Sequence, residues 1–352
     1  MSNISEIFRV VFSQPNFQSA IASSILIILL GFILGKVGVF QNTLAKGMTT
    51  VLLNVALPAL AFTAFMQNID KNSLSQGINL LIWGFIMYIM LIFVCELLYI
   101  KYSGDMKTAL VVCTIFGSTT FFGIPIVSAL YGSEGVIYAN VFNISYRVFL
   151  YSYALIKMSG MKFETKNLKQ IFLNPIIIAT FIGLFIWLFQ DNIPHVQVRS
   201  GDKVLEVAFL RIDKTVPWLF DAMKKLSALT SPLAWLSIGI TLSTISIKEA
   251  ASSKDSWYYS LNKVIVVPLV NLIILIILVS LHIMNVSYVG IAVVIIMMAT
   301  PTATVAAAYA IKYDKSAVLV SNSSLLSTIF SVILIPIWII ILEVLKALSI
   351  LH

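Results

Sequence analysis

The sequence predicts an all-α integral membrane protein, with about ten spanning helices arranged as two inverted five-helix repeats. Of its 352 residues, 59% are hydrophobic and only 11% are charged, whereas a soluble domain has about 25% charged residues. Apolar runs of about 20 residues, the length that crosses a bilayer, recur along the chain. The net charge of +8 comes from basic residues dispersed among loops. We therefore expect a lipid bilayer around the protein and no nucleic acid as a partner.

Ten apolar runs are candidate spans. The first run lacks a preceding basic segment and a small-residue cleavage site, so we expect it to be a span and not a removed signal peptide. Cys95 and Cys113 fall inside runs and are expected to be core residues without a disulfide. The runs lie at 18–40, 44–66, 77–100, 106–130, 135–158, 171–190, 216–243, 260–282, 286–310 and 317–345.

The distribution of lysine and arginine predicts the orientation. If the N-terminus is outside, the cytoplasmic loops hold most of the basic residues, among them Lys263, which we assign to a loop. The connection at 190–225 adds basic residues outside, but acidic residues dilute them and long connections count less in this rule. We therefore expect both termini to be extracellular, in the cytoplasmic membrane.

Proline breaks recur along the chain with nearly one period. Pro58 and Pro232 are 174 residues apart, and Pro125 and Pro301 are 176 apart. Because five spans per repeat is an odd number, the second copy must be inverted in the membrane. This predicts a first repeat at 1–158, a cytoplasmic linker at 159–170 and a second repeat at 171–352. The alternative is that these prolines only kink their helices.

The fourth and ninth runs carry the strongest helix-breaking patterns: FGSTTFFGIP at 116–125 and ATPTAT at 299–304. Proline removes a backbone donor, and glycine permits non-helical geometry. In hydrocarbon, the freed backbone groups are tolerated only where protein buries them or they line a wet cavity. Two such breaks at matching places predict a midplane substrate site, and half-helix N-termini favour an anion there. The predicted break residues are Gly117, Gly123, Pro125 and Pro301, with Pro58 in the second run.

Arg147 lies in the middle of the run at 135–158. A charge at this depth costs about 2.5–3.5 kcal/mol and needs a partner or a wet cavity. Glu96 is the one carboxylate that we place within a span, and its depth matches poorly. Three roles are open for Arg147: binding a carboxylate of the substrate with its planar fork, bonding carbonyls of a broken helix, or reaching an interface. Asn140 and Asn143 share its helix face.

Hydroxyl and amide side chains near the breaks are the other candidate ligands. Intramembrane Ser and Thr often bond back to their own helix, so each has a structural alternative. Asn54, four residues before Pro58, either satisfies the carbonyl that the proline frees or reaches the substrate. Ser323 lies one period after the Arg147 region and is expected on the far wall of the same cavity. The candidate substrate-binding set is Arg147, Ser118, Thr119, Thr120, Asn143, Asn54, Thr302, Thr304 and Ser323.

The patterns of an enzyme or an ATP-driven pump are missing from the runs. They hold no phosphate-binding loop, catalytic carboxylate pair, metal cluster or Ser–His arrangement, so we expect no catalytic residue, metal or cofactor. The scarcity of intramembrane carboxylates favours uniport or exchange of an anion over a dedicated cation site. A sodium site made of backbone and hydroxyl oxygens stays open.

The motifs resemble those of the auxin efflux carrier family. NVALPAL at 54–60 is similar to the second-span signature, the break at 116–125 to the fourth-helix motif, and Pro301-Thr302-Ala303 to the ninth. The resemblance covers essentially the whole chain and implies a ten-span crossover fold with scaffold and transport domains. The family often has Asn where Ser118 stands, Gly where Thr120 stands and a polar residue where Val305 stands, and Arg147 is not part of its general pattern.

The family resemblance implies transport of organic anions, and its bacterial members include malate permeases of lactic acid bacteria, which this chain resembles in length and in its short central loop. The added cation Arg147 fits a doubly charged substrate. We expect malate uptake by uniport or malate/lactate exchange. The alternatives are efflux of an auxin-like or other monocarboxylate and, in another class, a membrane sensor or receptor. By analogy with such folds, a homodimer is expected.

Overall fold

The computed structural model describes residues 15–68, 71–160, 173–200, 203–244 and 247–351. Within these ranges the chain is mostly helical, and six helices are long and apolar enough to cross a membrane. Three shorter apolar helices accompany them: Ile25–Lys36, Pro175–Phe189 and Tyr288–Met298. The membrane class that the composition predicts is confirmed. Most of the predicted linker at 159–170 lies outside the described residues.

In the described part of the first half, the apolar runs form seven α-helices. They are α1 (Pro15–Lys36), α2 (Asn42–Val51), α3 (Leu57–Ala64), α4 (Lys71–Leu98), α5 (Gly104–Ile115), α6 (Ile124–Phe149) and α7 (Leu155–Ser159). Within α6 the backbone leaves helical geometry at Gly132, with φ 56° and ψ −143°. Such backbone angles are open essentially to glycine alone, so Gly132 lets one run of sequence turn between two helices.

The second half begins with a helix and a β-hairpin and continues with longer helices. They are α8 (Pro175–Phe189), β1 (His195–Ser200), β2 (Lys203–Ala208), α9 (Ile212–Thr215), α10 (Pro217–Ala228), α11 (Thr230–Ser243), α12 (Ile247–Ser252), α13 (Lys254–Leu261), α14 (Val267–Ser280), α15 (Tyr288–Met298), α16 (Thr304–Lys312) and α17 (Ala317–Ala347). Asn174 starts α8 by accepting from the amide of Ile176 at 2.9 Å, as an N-cap residue does.

Two of the predicted breaks, at Pro58 and Pro125, contain a π-helical turn before the proline, and a third such turn precedes Pro268. The turns cover Leu52–Ala56, Thr119–Gly123 and Asn262–Val266, and Pro58, Pro125 and Pro268 follow each as the second residue of the next helix. Proline lacks the amide that an α-helical turn would use, and each of these prolines follows a widened turn. Pro125 lies near the start of its half-helix, whereas Pro301 lies within the second break. The two prolines therefore occupy different places relative to their half-helices.

The hairpin of β1 and β2 is the one sheet in the described part of the chain, and the sequence did not predict it. His195 pairs with Ala208 and Ser200 with Lys203 in an antiparallel register. Arg211 fastens the end of the hairpin: its guanidinium binds Asp213 with two contacts of 2.8 and 2.9 Å, and its Nη1 donates to Asn68 at 2.8 Å. An arginine fork binds a carboxylate in this geometry.

Small residues and aromatic rings make the closest packing of the core. A Cβ at Gly239 in α11 would meet the carbonyl of Ile28 in α1 at 2.1 Å, so these two backbones touch in the way that small residues permit in membranes. Around the first break, the ring of Tyr88 stacks on Phe116 at a centroid distance of 5.7 Å. The break therefore sits in a packed aromatic layer and not in a loose loop.

Candidate functional site

The two broken segments cross each other and pair through their backbones. The first runs from α5 through 116–118 to the π turn before α6, and the second from α15 through 299–303 to α16. Gly117 and Thr302 form an antiparallel bridge. The amide of Ser118 donates to the carbonyl of Pro301 at 2.7 Å, and the amide of Ala303 donates to the carbonyl of Phe116 at 2.9 Å. We call this pairing the crossover. It satisfies backbone groups that the breaks free.

The glycines of the first break serve close approach. Neither Gly117 nor Gly123 has a positive φ. A Cβ at Gly117 would lie 2.3 Å from Oγ1 of Thr300 and 3.0 Å from Nζ of Lys263, and one at Gly123 would lie 2.5 Å from Sδ of Met297. Glycine is thus required because the second segment occupies the space of a side chain.

Most of the crossover hydroxyls are buried, and several are engaged. Oγ1 of Thr302 lies 2.6 Å from the hydroxyl of Tyr259 and 3.3 Å from that of Ser327. Thr119 is buried, and its Oγ1 makes no hydrogen bond with the described residues. Ser118 is 8% exposed, so its side chain is buried as well.

Arg147 is buried without a counter-charge. The residue is 7% exposed, and its Nη2 makes no hydrogen bond. No carboxylate of the described residues pairs with it, because Glu96 binds Lys107 and Lys157 at 3.0 Å each. Tyr146 directly precedes Arg147, and Tyr151 follows it by one helical turn. A buried guanidinium in this condition has the donors and the charge to bind an anion.

Asn143 lies one helical turn before Arg147 and is also unsatisfied. It is fully buried, and neither its Oδ1 nor its Nδ2 has a hydrogen-bond partner in the described part of the chain. Its neighbour Asn140 instead bonds back to the carbonyl of Val136 at 2.9 Å. Buried polar groups are normally satisfied by protein or water. Asn143 and Arg147 together therefore leave free donors and an acceptor on one face of α6.

Aromatic packing connects this face to the first broken segment. Tyr146, the residue before Arg147, packs edge-on against Phe116 at a centroid distance of 5.9 Å, next to Gly117. The helix that carries Arg147 therefore packs on the crossover at this point, although no hydrogen bond among the described residues joins the Arg147 side chain to either broken segment.

Comparison with known proteins, like the crossing of the two broken segments, indicates a transport protein. Residues 17–170 and 160–339 match a family profile described as "Membrane transport protein". The chain belongs to this family. The auxin efflux carrier resemblance of the sequence motifs is thereby confirmed.

Two archaeal relatives cover almost the full chain. One is an uncharacterized transporter of Methanothermobacter thermautotrophicus, 24% identical over 326 residues, which are 92% of this chain and 97% of the relative. The other is an uncharacterized transporter of Methanocaldococcus jannaschii, 19% identical over 325 residues, which are 89% and 95% of the two chains. The protein is therefore a membrane transporter.

The remaining sequence candidates of this transporter lie away from Arg147 or at the surface. Asn54 is exposed and its Nδ2 donates to the carbonyl of Thr50 at 2.9 Å, four residues earlier. Ser323 is buried and donates to the hydroxyl of Ser256 in α13 at 3.3 Å. Thr304 is exposed at the first residue of α16, and Thr120 is partly exposed.

Lys263 is a residue of the crossover that the sequence analysis placed in a loop, and that assignment is corrected. It is 0% exposed, and its Nζ donates to the carbonyl of Thr114 at 3.0 Å. The run predicted at 260–282 already contains it, three residues from the start. A lysine so near the end of a run usually reaches the interface, so composition alone did not separate it from the loop lysines.

Glu343 is a second ionisable group that the sequence analysis overlooked. It lies inside α17 and is 9% exposed, and the hydroxyl of Tyr288 donates to its Oε1 at 2.6 Å. Lys346 stands 4.3 Å above the ring of that tyrosine. Glu96 is therefore not the sole carboxylate within a span. Glu343 is near the C-terminal end of its helix and bonds no residue of the crossover among those described.

Proposed function

We propose that this transporter carries a small organic anion across the cytoplasmic membrane, with malate or a similar dicarboxylate as its substrate, by uniport or by exchange with lactate. In this proposal the Arg147 guanidinium binds one carboxylate as a bidentate pair. Asn143 offers its free amide to the same substrate. The proposal needs no cofactor and no catalytic residue.

The observation that carries the proposal is the unpartnered state of Arg147. Burying an uncompensated charge is expensive, and a protein that keeps such a charge has a use for it. The structural alternative, in which Arg147 bonds carbonyls of the broken helix, has no support here because none of its donors bonds such a carbonyl in the described residues. The acceptor of Thr114 is taken by Lys263 instead.

The ten-span arrangement with a 5+5 inverted repeat belongs to the same proposal. The crossing of two broken segments supports it, as such crossings lie at midplane sites between inverted repeats. The two stretches that match the family profile meet at 160–170, where the predicted linker lies. Alternating access would then come from one body moving against the other about the crossover, with both termini outside.

A monocarboxylate is the second candidate, and the aromatic surroundings of Arg147 favour it. Tyr146 directly precedes Arg147 and Tyr151 follows it by one helical turn, and their rings suit a flat, auxin-like acid. Such a substrate needs one cation, so it uses the same Arg147 contact. The dicarboxylate and the monocarboxylate would therefore bind the same residue, Arg147, and the two candidates differ in which acids compete for the site.

The test is uptake of labelled L-malate into proteoliposomes by the wild type, Arg147→Ala and Arg147→Lys, with and without internal lactate. A charge-assisted hydrogen bond is worth about 1.5–3 kcal/mol, so we expect the KM of Arg147→Ala to rise about 10- to 100-fold. Arg147→Lys should recover part of this loss, because it keeps the charge without the fork. Arg199→Ala, at an exposed hairpin position, is the matched control and should behave as the wild type.

Each outcome has a defined meaning. Stimulation by internal lactate would establish exchange, and its absence would establish uniport. Uptake with an unchanged KM in Arg147→Ala would make Arg147 structural. A folded wild type that takes up no malate, but takes up an aromatic monocarboxylate, would replace the first candidate with the second. Specific binding without flux of either acid would instead favour a sensor.

A further inference from the structure

The C-terminal ends of the half-helices at the crossover are the places where a transporter binds a coupling cation. Half-helix C-termini carry partial negative charge, and unwound carbonyls there coordinate sodium or a proton carrier in secondary transporters. In this protein, α5 and α15 both end at the crossover. The side chains that bind the last carbonyls of α5 and α15 therefore show which groups this transporter has where other transporters bind a cation.

The end of α5 is bound by side chains of one neighbouring helix. Nζ of Lys263 donates to the carbonyl of Thr114 at 3.0 Å, and the hydroxyl of Tyr259 donates to the carbonyl of Cys113 at 2.9 Å. Lys263 and Tyr259 are four residues apart and thus on one helix face. The end of α15 is closed by a neutral group, because the hydroxyl of Ser331 donates to the carbonyl of Ala299 at 2.9 Å.

Lys263 lies well inside its helical stretch. It is the tenth residue of Lys254–Ser280, and at 1.5 Å per residue it lies roughly 14 Å from the start of that stretch. The side chain is 0% exposed, so it does not snorkel to an interface.

No anion among the described residues explains this buried lysine. It has no carboxylate partner there, and in that part of the chain its Nζ has one hydrogen-bond acceptor, the half-helix carbonyl of Thr114. Gly117 leaves the space for the ammonium, since a Cβ there would lie 3.0 Å from Nζ.

We propose that the ammonium of Lys263 is a built-in cation that takes the place of a coupling sodium ion at the C-terminal end of α5, so that transport proceeds without sodium. Lys263 is a positioning residue in this proposal: it holds the crossover closed at its negative end and does not touch the substrate. The transport part of the inference rests on the proposed function, whereas the stability part does not.

The first experiment uses thermal unfolding of the purified full chain in choline, sodium and ethylammonium chloride. We expect the wild type to melt at the same temperature in choline and in sodium. Lys263→Ala leaves a cavity at the carbonyl end and should melt lower in choline, and a small cation that refills the cavity, sodium or ethylammonium, should raise its melting temperature. Lys254→Ala, an exposed lysine of the same helix, is the control and should show neither effect.

A second variant keeps the proposal testable if Lys263→Ala does not fold. Lys263→Met retains the aliphatic stem and removes the charge, and we expect it to melt lower than the wild type and not to respond to cations, since the space stays filled. A Met variant as stable as the wild type would overturn the proposal. So would a wild type that sodium stabilises specifically, or an Ala variant that melts lower but ignores both cations.

The transport arm uses labelled malate with sodium or choline outside. Uptake by the wild type should change less than about twofold between the two cations, and uptake by Lys263→Ala should rise about fivefold or more in sodium. Wild-type uptake that requires sodium would overturn the inference while leaving the anion site intact. If malate is not a substrate, the unfolding experiment still decides on Lys263, because it needs no substrate.

Discussion

The substitution Gly117→Ala tests the geometry of the crossover directly. The added Cβ would lie 2.3 Å from Oγ1 of Thr300, and contacts under 3.0 Å force something to shift. That hydroxyl cannot rotate away freely, because it donates to the carbonyl of Met297 at 2.7 Å. Nζ of Lys263, at 3.0 Å from the same Cβ, limits a shift of the methyl in that direction. The change therefore overpacks a rigid place, which costs about 1–3 kcal/mol.

A matched glycine gives the opposite expectation. Gly47 lies in α2, and a Cβ there would meet nothing within 4 Å. In the middle of a helix, alanine is about 0.5–1 kcal/mol more favourable than glycine. Gly47→Ala should therefore raise the melting temperature of the purified transporter, and Gly117→Ala should lower it.

The assay is thermal unfolding of the single variants and of the double variant Gly117→Ala/Thr300→Ala, which removes the closest clash. Residues in contact couple by about 0.5–3 kcal/mol, so the double variant should be more stable than the sum of its parts. If Gly117→Ala melts at or above the wild type, as Gly47→Ala should, the second segment does not occupy this space and the crossover geometry is refuted.

Two further substitutions test how freed or buried polar groups are satisfied. Trp338→Phe removes the indole donor that binds the carbonyl of Val264 at 2.9 Å. Pro268 leaves this carbonyl without a helical amide, so the substitution should lower the stability by about 1–3 kcal/mol, measured by thermal unfolding. Adding Pro268→Ala should recover part of this loss. Arg211→Lys loses the two-contact pair with Asp213, which a lysine cannot reproduce. Limited proteolysis should therefore cut the hairpin region faster than in the wild type. An unchanged rate of cleavage would argue against a role of the Arg211–Asp213 pair in holding the hairpin.

Sequence reasoning predicted the fold class because hydropathy and helix-breaking residues are local signals. The runs at 106–130 and 286–310 were expected to break, and the structure pairs the two breaks at Gly117 and Thr302. The role of proline was less visible. Pro125 fits the first turn of a half-helix, a position that proline favours, and the π turn before it is not encoded by any single residue type. The hairpin also escaped notice because it is a short alternating segment in a polar connection.

The candidate site could be predicted only in part because depth is a property of the packed protein. Arg147 is conspicuous, since it stands in the middle of an apolar run. Lys263 is three residues inside its run, and a flexible stem usually carries such a charge to water. The first broken segment prevents this, because the carbonyl of Thr114 supplies the hydrogen-bond acceptor and the absent side chain of Gly117 leaves the space for the ammonium. Neither lies near Lys263 in sequence.

The buried cation Arg147 also bears on the choice between uniport and exchange. Arg147 is buried without a carboxylate partner among the described residues, so the empty site holds a positive charge. Moving an uncompensated charge through hydrocarbon is costly, and under the proposed function this cost falls on the empty carrier. A carboxylate bound to Arg147 removes the cost. The carrier therefore returns more easily with an anion bound, which favours malate/lactate exchange over uniport.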